Sequence, residues 1–349
     1  MQIQDLSFFI EVFIQSCKAD RADGFPNRQD DLIDTTSKMK KQLSSTQPLL
    51  ADLVDMKSPG AVFDEVSFIA TLIAPQMDPS TLTNAFSFTA SLYHGLWPSE
   101  RACNTNFHDL RHITDTLLAM VRLIHGAIIS GHRITPRNAF VGCVAAMAHD
   151  AGYIQDIKDG IGTGAKYTAV HVRRSIEHIE RYGKRYGLNT SEIGPCQQII
   201  QCTDMQIDPS GVVFQSKAFR TLGKILAVAD LIGQLADRIY LEKLFYLYRE
   251  FEEGRVDGYY DEMDMLKKSL TFFDTAEDRI SKQLDGLDRF AAVHFRARWD
   301  ISRNLYRDAI EKHRRYLAYI LSQQDCDPSQ LLRRNKILQN FKKEPPSKD

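Results

Sequence analysis

The stretch CVAAMAHDAGY, residues 143–153, decides how the rest of the chain can be interpreted. It starts as a helix of small apolar residues, continues into the adjacent pair His149 and Asp150, and stops near Gly152. A histidine and a carboxylate at the end of a buried helix are costly when nothing compensates their polarity. A divalent cation that takes both side chains as ligands removes that cost, and the stretch therefore predicts a metal site.

Further ligands must come from other parts of the chain, and the segment NFHDLRH upstream offers two histidines. His108 and His112 stand four residues apart, so that a helix predicted over 107–131 would present both on one face. One of the two can then bind the metal while the other faces a substrate. By itself such a pair is more often a solvated helix face than a pair of ligands.

A second segment, AVADLIGQ downstream, carries Asp230 inside an otherwise apolar helical pattern. An unpaired carboxylate there is expensive, which makes Asp230 a candidate metal ligand. Gln234, one helical turn later, is a candidate supporting or substrate-binding residue. A buried aspartate alone is often only a helix-pairing residue. The order of the three segments, with the His-Asp pair after an apolar helix, is the more specific signal.

The composition argues against nucleic acid or a membrane as the main partner. The 349 residues are 43% hydrophobic, enough for a large core, and the formal net charge of -1 lacks the basic surplus that those partners require. Six cysteines occur without a CxxC pair, which is typical of reduced thiols. No apolar run approaches the roughly 20 residues of a membrane span, and no signal peptide is predicted. We therefore expect a cytoplasmic protein.

The helical periodicity of apolar residues extends over most of the chain, and no β-alternating run persists, so the predicted fold class is all-α. A long C-terminal helix is expected over 276–324. Its apolar residues either pack on the main domain, which their irregular spacing favours, or form the seam of a homodimer. Four regions are predicted: a helical N-terminal extension or linker (1–60), a compact main domain (61–260), C-terminal helices (261–325) and a charged tail (326–349).

Together these segments resemble the HD superfamily of metal-dependent phosphohydrolases, and within it the catalytic domain of class I cyclic-nucleotide phosphodiesterases. The resemblance covers roughly residues 65–250 and is carried by four short matches. FHDLRH (107–112) resembles the family's HNxxH, and AHD (148–150) is its HD signature. CTDM (202–205) resembles the family's A-T-D-M segment, and ADL (229–231) its metal aspartate.

The resemblance implies a divalent-cation centre with a hydrolytic activity. Carried across, four residues would bind the first metal: His112, His149, Asp150 and Asp230. Asp150 would also bridge to a second metal, and Zn, Mn, Mg, Fe and Ni all suit such ligands. His108 would be the general acid that protonates the leaving oxygen while a metal-bound hydroxide attacks phosphorus. A histidine with a pKa near 6.5 suits that proton transfer.

Two positions depart from the phosphodiesterase pattern. Tyr153 stands where the family has a further histidine, three residues after the HD aspartate, and Thr168 stands where it has a glutamate. Both family residues support the second metal. His171 resembles a second-metal histidine of general HD enzymes, and it is, with Thr203 and Asp204, a candidate for binding a second metal or the substrate.

Two functions follow as expectations. The first is a metal-dependent phosphohydrolase that acts on a small-molecule phosphate ester or nucleotide, in the manner of a cyclic-nucleotide phosphodiesterase. The second is a non-catalytic HD-fold module that senses a ligand or serves signalling, with the N-terminal extension as its partner arm. The complete set of four metal ligands favours the first, and the missing family residues at positions 153 and 168 favour the second.

Overall fold

The computed structural model describes residues 47–323 and 327–332 of the chain. Most of the predicted N-terminal extension and of the charged tail therefore lies outside the described residues. The chain divides into two units, Met1–Leu53 and Val54–Asp349. The described part of the first unit contains the short 3₁₀ helix Leu50–Asp52, and all described α-helices belong to the second unit.

The second unit is built from helices, which confirms the predicted all-α fold class. Its described residues form twelve α-helices and no β-strand, and one isolated β-bridge joins Glu100 to Asp156. The helices in chain order are α1 (Pro59–Ile73), α2 (Pro79–Tyr93), α3 (Leu110–Ile129), α4 (Pro136–Ala148), α5 (His171–Tyr182), α6 (Thr190–Gln201), α7 (Lys217–Leu235), α8 (Tyr240–Glu253), α9 (Glu262–Asp278), α10 (Arg289–Trp299), α11 (Leu305–Ser322) and α12 (Pro328–Leu331).

Asp109 decides where α3 begins. Its carboxylate accepts a hydrogen bond of 2.9 Å from the backbone N–H of His112, one of the donors that a helix start leaves without a helical partner. The helix therefore begins at Leu110, and His108 precedes it. The prediction that His108 and His112 project from one face of the same helix is wrong, because the cap residue lies between them.

The start and the end of α4 are also set locally. The Thr135 hydroxyl accepts from the backbone N–H of Asn138, and Pro136 takes the first helical position, where a missing N–H costs nothing. The helix ends at Ala148, and His149 is its C-terminal cap residue. Because α4 is buried along most of its length, it delivers the histidine and the aspartate that follows it into the interior.

Helix α3 is the centre of the second unit. It packs against α1, α4, α7 and α10, and every residue from His112 to Ala127 is buried. By length and hydropathy α3 is the one helix among the described residues that could cross a membrane, yet 89% of its most apolar window is buried inside the protein. Its apolar character thus serves the core, on which the neighbouring helices pack.

One glycine allows a close approach that brings site residues together. A Cβ atom at Gly152 would lie 2.0 Å from the carbonyl oxygen of His171. Only glycine fits there, between the end of α4 and the start of α5, and the two segments touch through their backbones.

The segment 276–324 is divided rather than forming the one continuous helix that the sequence predicts. α9 ends in a π-helical turn, Arg279–Gln283, and α10 and α11 follow as separate helices, of which α11 is the longer with 18 residues. The backbone turns between them through positive φ angles of 56° at Asp285, 60° at Gly286 and 59° at Asp300. α10 packs on α3 and α11 packs on α7.

Candidate metal centre

Four polar side chains from three helical segments meet in the interior of the second unit. His112 lies in the first turn of α3, His149 caps the C-terminal end of α4, and Asp150 follows it. These three are buried and form a group that can hold a metal ion. Asp230 comes from α7, and its side chain is 17% exposed, which places it on the solvent side of the cluster. The structure thus places close together the four side chains that the sequence predicts as metal ligands.

The ring nitrogens of the two histidines lie close to each other and to oxygens of both carboxylates. His112 Nε2 lies 3.2 Å from His149 Nε2. The same nitrogen lies 3.3 Å from Asp150 Oδ2 and 3.2 Å from Asp230 Oδ1. His149 Nε2 lies 3.4 Å and 3.7 Å from these two oxygens. Ligands bound at about 2.1 Å to a tetrahedral or octahedral cation stand about 3.0 to 3.4 Å apart. Four of these five distances lie within that range, and the distance from His149 Nε2 to Asp230 Oδ1 slightly exceeds it. The donors of His112, His149 and Asp150 can therefore hold a cation, and Asp230 lies close to the two imidazoles.

A hydrogen bond to the backbone sets the tautomer of His149. Its Nδ1 donates to the carbonyl oxygen of Ala146 over 2.8 Å, so that in the neutral ring Nε2 carries the lone pair that faces the cluster. This lone pair points at a second imidazole nitrogen and at two carboxylate oxygens. Such an arrangement of electron-rich atoms is stabilised by a cation among them.

The charges of the cluster also favour a cation. Burial alone would raise the pKa values of Asp150 and Asp230, but the imidazoles of His149 and His112 hold both pKa values below the usual range of a carboxyl. Burial alone would lower the pKa of His112, yet its hydrogen bonds to the two carboxylates and their charges raise it to about 10. Both carboxylates are therefore ionised at neutral pH, and this part of the interior attracts positive charge.

His108 lies beside the cluster, in the turn before α3, with its ring centroid 5.8 Å from that of His112. Its Nδ1 donates to Glu250 Oε2 over 2.6 Å, and Glu250 Oε1 accepts from the backbone N–H of Phe107, also over 2.6 Å. Glu250 lies on α8 and is buried. Sequence reasoning missed it, because it stands among other charged residues in the pattern REFEE, and only burial in the folded protein distinguishes it from them.

Tyr153 lies between two histidines next to the cluster. Its ring stacks on that of His108, with centroids 4.4 Å apart, and on that of His171, with centroids 4.7 Å apart. His171 Nδ1 donates to the carbonyl oxygen of Thr168 over 2.6 Å, and its Nε2 faces Asp150 Oδ1 at 3.7 Å. His171, a candidate from the sequence, therefore belongs to the centre.

The other candidates from the sequence divide between the centre and its surroundings. Gln234 Nε2 donates to Asp230 Oδ1 over 3.4 Å, so it contacts the cluster directly. Thr203 donates to a carbonyl of α6, and the Asp204 carboxylate accepts from a backbone N–H two residues further on. Both side chains serve the turn after α6, and among the described contacts neither reaches the cluster.

Comparison with known proteins adds one partial match. A family model described as Npun_R2479-like matches residues 158–289, less than half of the chain. The match includes Asp230 and Glu250 but begins after the segments of His112 and His149. No curated protein and no solved structure matches the chain. Fold and site together therefore define an all-α protein with a candidate centre for a divalent cation.

Proposed function

We propose that this protein is a metal-dependent phosphohydrolase that acts on a phosphodiester or nucleotide, in the manner of a cyclic-nucleotide phosphodiesterase. The observation that supports this most is that His112 Nε2 lies 3.2 to 3.3 Å from His149 Nε2, Asp150 Oδ2 and Asp230 Oδ1, with the glutamate-bound His108 beside the cluster. A cation site alone is compatible with many roles. A cation site next to a positioned proton donor has the two groups that hydrolysis of a phosphate ester needs.

The cation would be held by the four side chains of the cluster, His112, His149, Asp150 and Asp230. A divalent cation in such a site lowers the pKa of water and compensates the charge on phosphoryl oxygens. The protein orients its own ligands around that position. The carbonyl of Ala146 holds the ring of His149, and the amide of Gln234 holds the carboxylate of Asp230.

His108 acts as the general acid in this proposal. Because Nδ1 donates to Glu250, Nε2 is the nitrogen that gives a proton to the departing oxygen. This hydrogen bond and the stacking on Tyr153 hold the plane of the ring. Glu250 is itself held in place, because its second oxygen accepts the N–H of Phe107.

A ligand-sensing module without hydrolytic activity is the second candidate. It is favoured by Tyr153 and Thr168, which stand where the phosphodiesterases that this sequence resembles have a histidine and a glutamate. Such a module would use the same cluster to bind a phosphate-bearing ligand through the cation, with His108 as a hydrogen-bond donor rather than an acid.

Metal analysis and a substrate screen test the proposal and separate the two candidates. We expect near-stoichiometric transition metal in the purified protein, and much less in Asp230→Asn, which keeps the shape of the side chain but removes its charge. With Mn²⁺ present, the wild type and not the variant should hydrolyse a member of a panel of cyclic nucleotides, dinucleotides and nucleoside mono- to triphosphates. A protein without affinity for metal contradicts both candidates. Bound metal without hydrolysis across the panel favours the module.

A further inference from the structure

The cluster contains two positions next to Asp150, and they differ in how many ligands the chain supplies. Asp150 Oδ2 faces His112 and His149, at 3.3 and 3.4 Å. Asp150 Oδ1 points the other way, towards His171 Nε2 at 3.7 Å. We propose that the centre holds one divalent cation per chain, at Oδ2, and that Tyr153 is the residue that closes the second position, at Oδ1. This inference rests on the proposed function, because it concerns the same site.

Tyr153 fills the space in which a further ligand for the second position would stand. Its ring lies nearly parallel to the ring of His108, at 12°, and to the ring of His171, at 21°. Centroid distances of 4.4 and 4.7 Å are those of aromatic rings in direct contact, so no ion fits between the three rings. The aromatic carbons that face His171 offer no lone pair to a cation.

The polar atoms of this segment are engaged in ways that turn them away from a second cation. The Thr168 hydroxyl donates to the carbonyl oxygen of Ala165 over 2.6 Å, and the Thr168 carbonyl accepts from His171 Nδ1. The polar groups of Thr168 are thus engaged within the chain, and the ring of Tyr153 is engaged by stacking on two imidazoles. Neither residue supplies an imidazole or a carboxylate.

Ligand number then decides between the two positions. The first position has two imidazoles and two carboxylates, whereas the second has one carboxylate oxygen and the single imidazole of His171. Transition metals bind such ligands in sets of three or more in protein sites. His171 is accordingly a positioning residue, which orients Asp150 through its second oxygen, and it is not a ligand.

Counting the bound ions tests the inference. We expect one Mn²⁺ per chain after equilibrium dialysis of the wild type against excess Mn²⁺, with the paramagnetic resonance spectrum of an isolated ion. The double variant Tyr153→His/Thr168→Glu introduces an imidazole and a carboxylate next to the second position. It should bind a second ion and give the spectrum of an exchange-coupled pair. Tyr167→His is the matched control, since that hydroxyl donates to Asp159, away from Asp150, and it should keep one ion.

Each outcome separates this inference from the proposed function. Two ions in the wild type, or one ion in a double variant that melts cooperatively like the wild type, overturn the inference and leave the proposed function standing. No bound ion in the wild type removes the proposed function itself. If the double variant does not fold, His171→Ala decides: a retained single ion supports a positioning role, and a lost ion makes His171 a ligand.

Discussion

Two pairs of buried histidines in this protein have nearly the same distance between their ring nitrogens, and each pair includes one residue of helix α3. In the first pair, His112 and His149, the two Nε2 atoms are 3.2 Å apart. In the second pair, His125 and His294, the two Nδ1 atoms are 3.1 Å apart. His112 and His125 both lie on α3, and their partners come from α4 and α10. Distance between imidazoles therefore does not distinguish the two pairs.

The charges around the two pairs are opposite in sign. The first pair faces the carboxylates of Asp150 and Asp230. The second pair lies in the field of the guanidinium groups of Arg122 and Arg298, of which Arg298 lies 3.4 Å from its counter-ion Glu65. Two positive charges against one negative charge make that part of the core unfavourable for a further cation.

The opposite surroundings give opposite protonation behaviour. Burial lowers the pKa values of His125 and of His294. Arg298 lowers both values further, and Arg122 also lowers that of His294. The pKa of His112 is raised to about 10 by its carboxylates, despite burial. The second pair therefore stays neutral and serves packing between α3 and α10. Two close imidazoles become a cation site only when carboxylates supply the negative charge.

The largest expected effect is the loss of the metal from the first pair. His112→Ala removes a nitrogen that lies 3.2 to 3.3 Å from three other donors, and it should abolish both bound metal and activity. His125→Ala, thirteen residues further along the same helix, is the matched control and should keep the metal, although it leaves His294 without its partner. Metal analysis of both variants measures the difference. Equal metal content in the two would show that the first histidine pair is no more a metal site than the second.

The next largest effect is expected on the catalytic rate, with the metal content unchanged. His108→Ala removes the proposed acid but none of the four ligands, so bound metal should be unchanged while kcat falls by about 10²–10⁴. Steady-state kinetics together with metal analysis separate the two quantities. A His108→Ala protein with the rate of the wild type would remove His108 from the acid role, whatever the metal content.

A smaller effect is expected at the edge of the first pair. Gln234→Leu removes the amide that donates to Asp230, and it should weaken metal binding about 10- to 100-fold, as loss of a residue that orients a ligand does. Competition with a chelator gives the dissociation constant. Gln197→Leu serves as the control, because that amide donates to a carbonyl of α5 and not to the cluster. Equal affinity in the two variants would assign Gln234 no role.

The smallest effect concerns the second pair and acid. The folded protein keeps His294 neutral, because burial and the charges of Arg122 and Arg298 lower its pKa, with His125 as its other titratable neighbour. In the unfolded chain His294 binds a proton below about pH 6.5. The free energy of unfolding therefore decreases as the pH falls below that value, by at most about 1.4 kcal/mol per pH unit for this group. His294→Gln should flatten that slope in urea unfolding between about pH 7 and about pH 5. An unchanged slope would mean that His294 is protonated in the folded state.

The residues of the centre could be predicted from the sequence where local context singled them out. His149 and Asp150 follow an apolar helix, and Asp230 interrupts another, so their polarity is conspicuous in the chain itself. Glu250 could not be found in this way, since it resembles its charged neighbours until α8 packs on the segment of His108. The break in the predicted C-terminal helix did have a local signal, the Asp-Gly pair at 285–286, which favours a turn.

The all-α fold class and the four candidate metal ligands followed from the sequence alone, because helix caps, apolar periodicity and isolated polar residues act over a few neighbouring positions. Only the tertiary structure decided which histidine pair faces carboxylates and which faces arginines. It also decided that Glu250 holds His108 and that Tyr153 lies between two imidazoles. The physical reason is that burial and electrostatic fields are set by side chains from helices far apart in the chain. These side chains meet only when the other helices pack around α3.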